Sequence, residues 1–241
     1  MSSTYPSSLP SPGRTGRIAV PPAVTIMAVG VFAAGTSEFM PSGLLPAIAR
    51  DFAIDIPHAG LTVSIFAIGM VIGGLLSALA TTRWSQRSLL LSAIVTLAIG
   101  HVIGALASSF EGLLVSRLVS ALATGAFWTI AAVVAVTITP EGARARALAR
   151  LVGGMTLANI IGVPLGTAIG QDHGWRITFW AVAVIASLAA CAVYARVPEP
   201  PRNAHAPGLR RELRTFAQGR LWLAYATTVS YTHLRAHETE A

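Results

Sequence analysis

Three side chains within apolar stretches of this sequence are able to do chemistry: Glu38, Arg117 and His101. Charged groups are costly inside a membrane and are found there mainly at functional sites. A buried carboxylate near a guanidinium binds or releases a proton according to what else occupies the site, because burial and neighbouring charge both act on the carboxyl group. That property is the requirement for exchanging a proton against another solute. His101 is a candidate relay for the same proton.

Glu38 and Arg117 are expected to lie at matched depths. If the first apolar helix leaves the membrane near Leu44, Glu38 lies about six residues, or ~9 Å, below that surface. If the fourth helix enters near Gly112, Arg117 lies about five residues, or ~8 Å, inside. We therefore expect a shared polar cavity, with direct contact left open. The alternatives are two independent side chains that reach toward the interface and, for His101, an ordinary hydrogen-bonded packing residue.

The composition indicates a membrane protein. Of the 241 residues, 54% are hydrophobic and 11% are charged, and the mean hydropathy is +0.65. Since a soluble domain carries about 25% charged residues, most of this surface cannot face water. The 17 basic residues, all arginine, outnumber the 10 acidic ones. Because they fall in short loops between apolar stretches, they indicate orientation rather than nucleic-acid binding. The single cysteine, Cys191, excludes a disulfide within the chain.

Six stretches are long and apolar enough to cross a bilayer as helices, since about 20 residues span its ~30 Å core. They do not alternate apolar and polar residues, which excludes barrel strands. Thirteen arginines fall on one side of these helices, and only Arg50 and Arg176 fall on the other. This bias predicts a cytoplasmic amino terminus. The six stretches are 20–44, 58–81, 88–108, 112–137, 150–170 and 177–196.

The segments outside the six-helix region 18–197 are predicted to be polar or incomplete. Residues 1–17 are rich in Ser and Pro and predict a disordered cytoplasmic tail rather than a signal peptide. Residues 198–219 predict a basic cytoplasmic linker. Residues 220–229 begin a seventh apolar helix that is too short to cross a bilayer. Residues 230–241 are expected to be a non-native tail.

Small residues recur at every fourth position of the fifth stretch and predict a close helix contact. This spacing puts one small residue per turn on the same face, so that a neighbouring backbone can approach. Pro164 lies off this face and predicts a kink, because it lacks an N–H. The members of the face are Gly154, Ala158, Gly162, Gly166 and Gly170, and shorter pairs occur at Gly69/Gly73 and Gly100/Gly104.

Enzyme motifs are missing from the sequence. We find no metalloprotease helix motif, P-loop, pair of intramembrane aspartates or serine elbow, so an intramembrane enzyme is a remote alternative. A potassium-type selectivity filter is missing as well. His233 and His237 have metal-ligand spacing on a helix, but we interpret them as part of the non-native tail. We therefore predict no metal or other cofactor.

Three motifs carry a family resemblance. They are GTSEFMPSGLLPAIA (35–49), SRLVSALATGAF (116–127), and GVPLGTAIG (162–170) followed by GWRITFW (174–180). They resemble the amino-terminal half of a major facilitator superfamily transporter, in the twelve-span drug:proton antiporter family that exports chloramphenicol, arabinose or purines. The first motif is most similar to the chloramphenicol-efflux branch, and the last to the antiporter motif. The second resembles the motif whose arginine, here Arg117, is implicated in proton coupling.

The loop GGLLSALATTRWSQR (73–87) matches the same family only in part. Arg83 and Arg87 fit the charged loop that follows the family's second helix. Thr82 stands where an acid is expected, and Ser85 stands where glycine is expected. The charge relay that latches the helices in this family therefore lacks its acidic member.

The resemblance covers about residues 20–228 and implies an all-α fold of two inverted three-helix repeats, with the first and fourth helices lining a cavity. It implies a proton-driven exporter in the bacterial inner membrane, with a small-molecule substrate, protons and lipid as partners and only the proton gradient as energy source. A phenicol drug is the first expectation, and Glu38 would carry the proton or contact the substrate while Arg117 sets its proton affinity. The alternatives are sugar or purine export and a non-transporting helix bundle. Because such transporters rock two six-helix halves, we expect this chain to lack a carboxyl-terminal half and to be inactive alone.

Overall fold

A computed structural model describes residues 19–81 and 83–199. Thr82, which stands where the family's loop motif has an acid, is therefore not described. The predictions for four segments also lie outside the described residues: 1–17, all but the first two residues of 198–219, 220–229, and 230–241.

Helices make up nearly all of the described chain, and they are joined by short turns. Two 3₁₀ segments, Met40–Leu44 and Glu141–Ala143, and a π-helical turn, Ala158–Gly162, connect some of the α-helices. The α-helices are α1 (Pro22–Phe39), α2 (Leu45–Asp51), α3 (Ile56–Ala59), α4 (Leu61–Ala80), α5 (Gln86–Ala105), α6 (Phe110–Ile138), α7 (Arg144–Leu157), α8 (Val163–His173) and α9 (Trp175–Arg196).

Within the described residues, these helices form six segments long and apolar enough to cross a membrane. This confirms the expected all-α membrane fold. We number the segments as spans 1 to 6 in chain order. They are Pro22–Asp51, Ile56–Ala80, Gln86–Ala105, Phe110–Ile138, Glu141–His173 and Trp175–Arg196.

Span 5 begins earlier than the predicted stretch 150–170. Arg144, Arg146 and Arg150 were expected in a loop, whereas they lie on the first turns of α7. Alanine and arginine are both strong helix formers, and a helix can continue past the hydrocarbon into the headgroup region, where charged side chains are solvated. The apolar length therefore indicates the embedded part of a helix and not its ends.

The six spans pack in a pattern with internal symmetry. Span 1 packs against spans 5 and 6, span 4 packs against spans 2 and 3, and span 3 packs against span 6. Exchanging the first three spans for the last three maps these contacts onto one another, as expected for two related three-helix repeats. The same pattern brings spans 1 and 4, which carry Glu38 and Arg117, into contact.

The small-residue face of span 5 lies along span 1. Every member of the face has its neighbour on span 1 or the segment that continues it, so the two backbones run close together for four turns. The pairs are Gly154 with Ala28, Ala158 with Gly35, Gly162 with Thr36, Gly166 with Met40 and Gly170 with Leu44. Such contact supplies the van der Waals attraction that associates helices in lipid, where no hydrophobic force acts between them.

The π-helical turn Ala158–Gly162 lies within this contact, just before Pro164. The N–H of Val163 donates to the carbonyl of Ala158. Pro164 has no N–H for the carbonyl of Ile160, four residues earlier, so the regular bonding pattern cannot continue through this turn. The backbone irregularity thus has its cause in Pro164, and π-helical turns of this kind are frequent at functional sites.

Replacing Gly154 with alanine is expected to destabilise the bundle, because the added Cβ would meet the backbone of Ala28. We expect a cost of about 1–3 kcal/mol, typical of overpacking. The adjacent Gly153 is a matched control, since a Cβ there meets nothing within 4 Å. Gly153→Ala should be neutral or stabilising by up to about 1 kcal/mol through helix propensity. Thermal unfolding in detergent measures both, and equal melting temperatures for the two variants would contradict the packing.

Candidate functional site

A polar layer lies between two apolar clusters of the bundle. One cluster includes Met27, Leu97 and Phe127, and the other includes Met40 and Phe179. Neither cluster has a member in residues 35–39 of span 1, 99–104 of span 3 or 115–122 of span 4. The three candidate residues fall within these gaps. The layer therefore contains Glu38, His101 and Arg117 together with the buried hydroxyl groups of Ser37, Ser116 and Ser120.

Arg117 has no exposed surface and is held by protein groups from two other spans. Its Nη1 donates to the carbonyl oxygen of Ser37 at 3.0 Å, and its Nε donates to that of Thr62 at 3.5 Å. Its guanidinium carbon lies 4.1 Å from the ring centroid of Phe66, within the range of a cation–π interaction. The buried Nη2 has no hydrogen-bond partner. The charge of Arg117 is thus fixed in position, and the two N–H groups of Nη2 are unused.

The Ser37 carbonyl accepts from Arg117 because its own helix leaves it free. In a regular α-helix the carbonyl of residue 37 would accept from the N–H of residue 41. That residue is Pro41, which has no N–H. Pro41 therefore supplies the acceptor that the guanidinium of span 4 needs.

Glu38 is half-buried next to this contact. Its Oε2 is enclosed and has no hydrogen-bond partner. The carboxyl group is near enough to interact with the charge of Arg117, but the two form no ion pair within 4.0 Å. The residue preceding Glu38 is the one that anchors Arg117. A carboxylate with unused hydrogen-bonding capacity thus lies beside a fixed positive charge.

His101 is fully buried in α5 and belongs to the same layer. Its Nδ1 lies 2.9 Å from the carbonyl oxygen of Leu97. Because a carbonyl can only accept, Nδ1 carries a hydrogen. Nε2 is buried without a partner and is the nitrogen left for exchange. The ring also packs against Phe179, with 5.5 Å between the ring centroids. His101 therefore makes the packing contact that the sequence analysis considered as an alternative to a relay.

The structure excludes two arrangements that the sequence left open. Arg117 does not reach toward an interface, because its side chain is completely enclosed by protein. Direct pairing of Glu38 with Arg117 does not occur either, and the anchor of Arg117 is a backbone carbonyl instead. Of the two side chains expected to share a polar cavity, Arg117 is fully enclosed and Glu38 keeps exposed surface.

The remaining predicted residues make other contacts. The glycine face and Pro164 belong to the contact of spans 1 and 5 and its π-helical turn. Arg83 is exposed, whereas Arg87 donates to the carbonyl of Tyr194 at 2.6 Å and lies over its ring. Arg87 therefore binds the last turn of α9. Among the described residues, no cluster of three His, Cys, Asp or Glu side chains could hold a metal ion.

Sequence reasoning missed an ion pair at the opposite end of the bundle. Arg176 pairs with Asp51 and donates to the carbonyl of Ala107 at 2.9 Å, and Trp175 also donates to Asp51 at 3.1 Å. These bonds join the end of span 1, the turn before span 4 and the start of span 6. A signal for this pair was present in the sequence. Arg176 and Arg50 are the two arginines on the side of the membrane opposite the other thirteen, and Asp51 directly follows Arg50.

The sequence was then compared with known proteins. The family model described as Major Facilitator Superfamily matches residues 27–234. The chain belongs to this superfamily. It is 41% identical over 220 residues to a chloramphenicol resistance protein of Streptomyces lividans, covering 87% of this chain and 56% of that protein. It is 36% identical over 203 residues to the inner membrane transport protein YdhP of Escherichia coli, covering 84% of this chain and 52% of that protein.

A solved structure supports the same fold. It is a bacterial homologue of the human lysosomal transporter Spinster, with a TM-score of 0.65 and 20% identity over 83% of this chain and 49% of that one. The chain thus has the fold of half a major facilitator and spans about half the length of the curated relatives named above. The superfamily consists of membrane transporters and the relatives are bacterial. The expected membership of this superfamily and the expected location as a multi-pass protein of the bacterial inner membrane are confirmed.

Removing the guanidinium should leave the Ser37 carbonyl without a donor. We expect Arg117→Leu to lower stability by about 1–3 kcal/mol, since a buried acceptor loses its partner. Pro41→Ala restores an N–H four residues after Ser37, so the double variant should recover at least part of this loss. Thermal unfolding of the four proteins gives the coupling energy.

Arg50 provides a matched control. Its Nε donates to a backbone carbonyl, that of Pro46, at 3.2 Å, but this bond lies on the exposed surface. Arg50→Leu should change stability by no more than about 0.5 kcal/mol. Strictly additive effects of Arg117→Leu and Pro41→Ala would show that Pro41 does not supply the anchor of Arg117.

Proposed function

We propose that this chain is the amino-terminal half of a proton-coupled exporter whose substrate is a chloramphenicol-type drug. The observation that carries the proposal is the fixed charge of Arg117 beside the half-buried carboxyl group of Glu38. Export against a gradient needs a group whose proton affinity changes with the occupant of the site. A carboxylate that keeps exposed surface while a fixed guanidinium lies nearby meets that need. The similarity to a chloramphenicol resistance protein favours a phenicol substrate.

Each residue has a separate part in this mechanism. Glu38 takes up the proton or contacts the substrate, and Arg117 stabilises the ionised carboxylate after the proton leaves. His101, with Nδ1–H committed to Leu97, offers Nε2 as a relay. Gly162, Pro164 and Gly166 hold span 5 closely against span 1 and limit proton leakage along that contact. Arg87 ties the loop after span 2 to the end of span 6.

Sugar or purine export by the same coupling is the second candidate, and a non-transporting bundle is the third. The chain alone is expected to be inactive, since transport by such a protein needs two six-helix halves that rock against each other. The three cases differ in what is transported when the second half is supplied. A phenicol exporter protects cells from chloramphenicol, a sugar or purine exporter changes only the uptake of those compounds, and a bundle changes none.

To test the proposal, this chain is fused to the part of the Streptomyces lividans chloramphenicol resistance protein that lies outside the region matched by this chain. In cells expressing the fusion we expect low chloramphenicol accumulation that a protonophore restores to the level of cells without the fusion. Glu38→Gln should raise accumulation to that same level, because an amide cannot exchange a proton. Arg117→Leu should do so as well.

Glu111→Gln provides the control, as Glu111 is exposed in the first turn of α6 and should leave export unchanged. Expression of each fusion in the membrane is measured alongside. Full export by both the Glu38 and the Arg117 variants would remove these residues from the mechanism.

A further inference from the structure

An open pocket lies at the end of the bundle where Arg176 pairs with Asp51. Its volume is about 510 Å³, which falls in the range of small-molecule sites. Three spans form it, because span 1 ends there, span 5 ends there and span 6 begins there. We call it the Arg50 pocket. Its lining residues with polar side chains are Arg50, Asp51, Gln171, His173, Trp175 and Arg176.

Two arginines that the sequence sets apart from the others line this one pocket. Arg50 and Arg176 are the two that fall on the side of the six helices opposite thirteen other arginines, and both belong to the pocket lining. Membrane proteins keep most of their basic residues on one side of the bilayer. Two arginines on the other side, gathered in a single pocket, therefore indicate a local use for their charge.

The charge of Arg176 is already neutralised within the pocket. Arg176 pairs with Asp51, whose Oδ2 also accepts from Nε1 of Trp175 at 3.1 Å. The amide nitrogen of Gln171 donates to the carbonyl of Gly43 at 3.5 Å. These bonds hold the ends of the three spans together before a ligand arrives, and a preformed site lowers the entropy cost of binding.

Arg50 keeps most of its hydrogen-bonding capacity. Its Nε donates to the carbonyl of Pro46, one turn earlier in α2, at 3.2 Å. Both terminal nitrogens are left without an acceptor among the described residues, and His173 adds a ring nitrogen able to donate. Asp51 is the one carboxylate among the described lining residues, since the exposed Asp172 is not part of the lining. The pocket thus has an excess positive charge and free donors.

A phosphate group matches these donors. The planar guanidinium of arginine donates two parallel hydrogen bonds to the oxygens of a phosphate or carboxylate group, and such charge-assisted bonds are stronger than neutral ones. The pocket is also large enough for further atoms of the ligand beside the anionic group.

An exposed apolar strip leads from the pocket along α8. Ile169 and Leu165 precede His173 by four and eight residues, so the three side chains lie on one face of the helix. Ile169 is 41% exposed and Leu165 is 57% exposed. A lipid with its headgroup at Arg50 is positioned to lay an acyl chain along this strip, which favours a phospholipid over a soluble ion.

We propose that the Arg50 pocket binds a phosphate group, the chemistry shared by anionic phospholipid headgroups and soluble phosphate esters. The terminal nitrogens of Arg50 bond two phosphate oxygens, and His173 donates to a third. Asp51 stays bonded to Arg176 and is thereby kept from repelling the ligand. A phosphate held in this way joins the ends of spans 1, 5 and 6. The site is separate from the polar layer and does not depend on the proposed export.

Native mass spectrometry of the full chain in detergent tests the site, with phosphatidylglycerol as the probe and the zwitterionic phosphatidylcholine as reference. We expect phosphatidylglycerol to bind about tenfold more tightly, in line with a charge-assisted hydrogen bond. Arg50→Gln should abolish this preference, because an amide carries no charge. Arg196→Gln removes the same charge from an exposed position at the other end of α9 and should preserve the preference.

Two further measurements identify the source of the phosphate. For a phospholipid, Ile169→Ala should weaken phosphatidylglycerol binding several-fold, since it removes apolar contact with the acyl chain. The deacylated headgroup, glycerophosphoglycerol, should then compete poorly. Competition by glycerophosphoglycerol at concentrations equal to those of the lipid, with no effect of Ile169→Ala, assigns the same pocket to a soluble phosphate ester.

Thermal unfolding gives a second test of the Arg50 pocket. Phosphatidylglycerol should raise the melting temperature of the wild type and of Arg196→Gln, because a ligand stabilises the folded state that binds it. Arg50→Gln should melt like the wild type without lipid and should show no such rise. Equal binding by the wild type and Arg50→Gln overturns the assignment. Equal losses in Arg50→Gln and Arg196→Gln overturn it as well, since they indicate only a general attraction between arginines and anionic lipid.

Discussion

Arg117 carries a charge with no exposed surface, and the arrangement of the helices around it follows from that fact. A buried guanidinium is tolerable only when protein groups accept its hydrogen bonds. The acceptors are the carbonyl of Ser37 on span 1 and that of Thr62 on span 2, with the ring of Phe66 against its face. Since these groups belong to two spans, holding the charge of span 4 also fixes the positions of both neighbours.

Close contact between the helices lets the side chain of Arg117 reach both neighbouring spans. Spans 2 and 4 touch through Gly73 and Gly125, where a Cβ would meet the backbone of the opposite helix, and spans 1 and 5 touch through Gly154 in the same way. Small residues thus bring backbones together, and the polar layer then sets the vertical register between them. Sliding one helix by a turn would keep the smooth contact but would break the bond from Arg117 to Ser37. The combination allows helices to remain tightly packed while only a few polar bonds define their alignment.

The polar residues and their depth were accessible from the sequence, whereas their partners were not. Counting residues from the expected ends of two helices placed Glu38 and Arg117 at one level, and the structure has them in one layer. Direct contact between Arg117 and the Glu38 carboxylate was left open by the sequence. The partner is a backbone carbonyl that Pro41 releases, and this signal is readable only once a helix through residues 37–41 is assumed. The start of span 5 was also misjudged, since hydropathy reports the lipid thickness and not where a helix begins.

The sequence by itself determined the class and the six helices, and it predicted their orientation and the residues proposed to exchange a proton. Each of these depends on local composition, on helical periodicity or on the cost of charge in lipid, all of which act along one segment. Only the tertiary structure decided which carbonyl holds Arg117, that Glu38 forms no ion pair with it, and that the small-residue face of span 5 lies against span 1. These depend on distances between segments far apart in the chain, which are set by how closely small residues let neighbouring backbones approach.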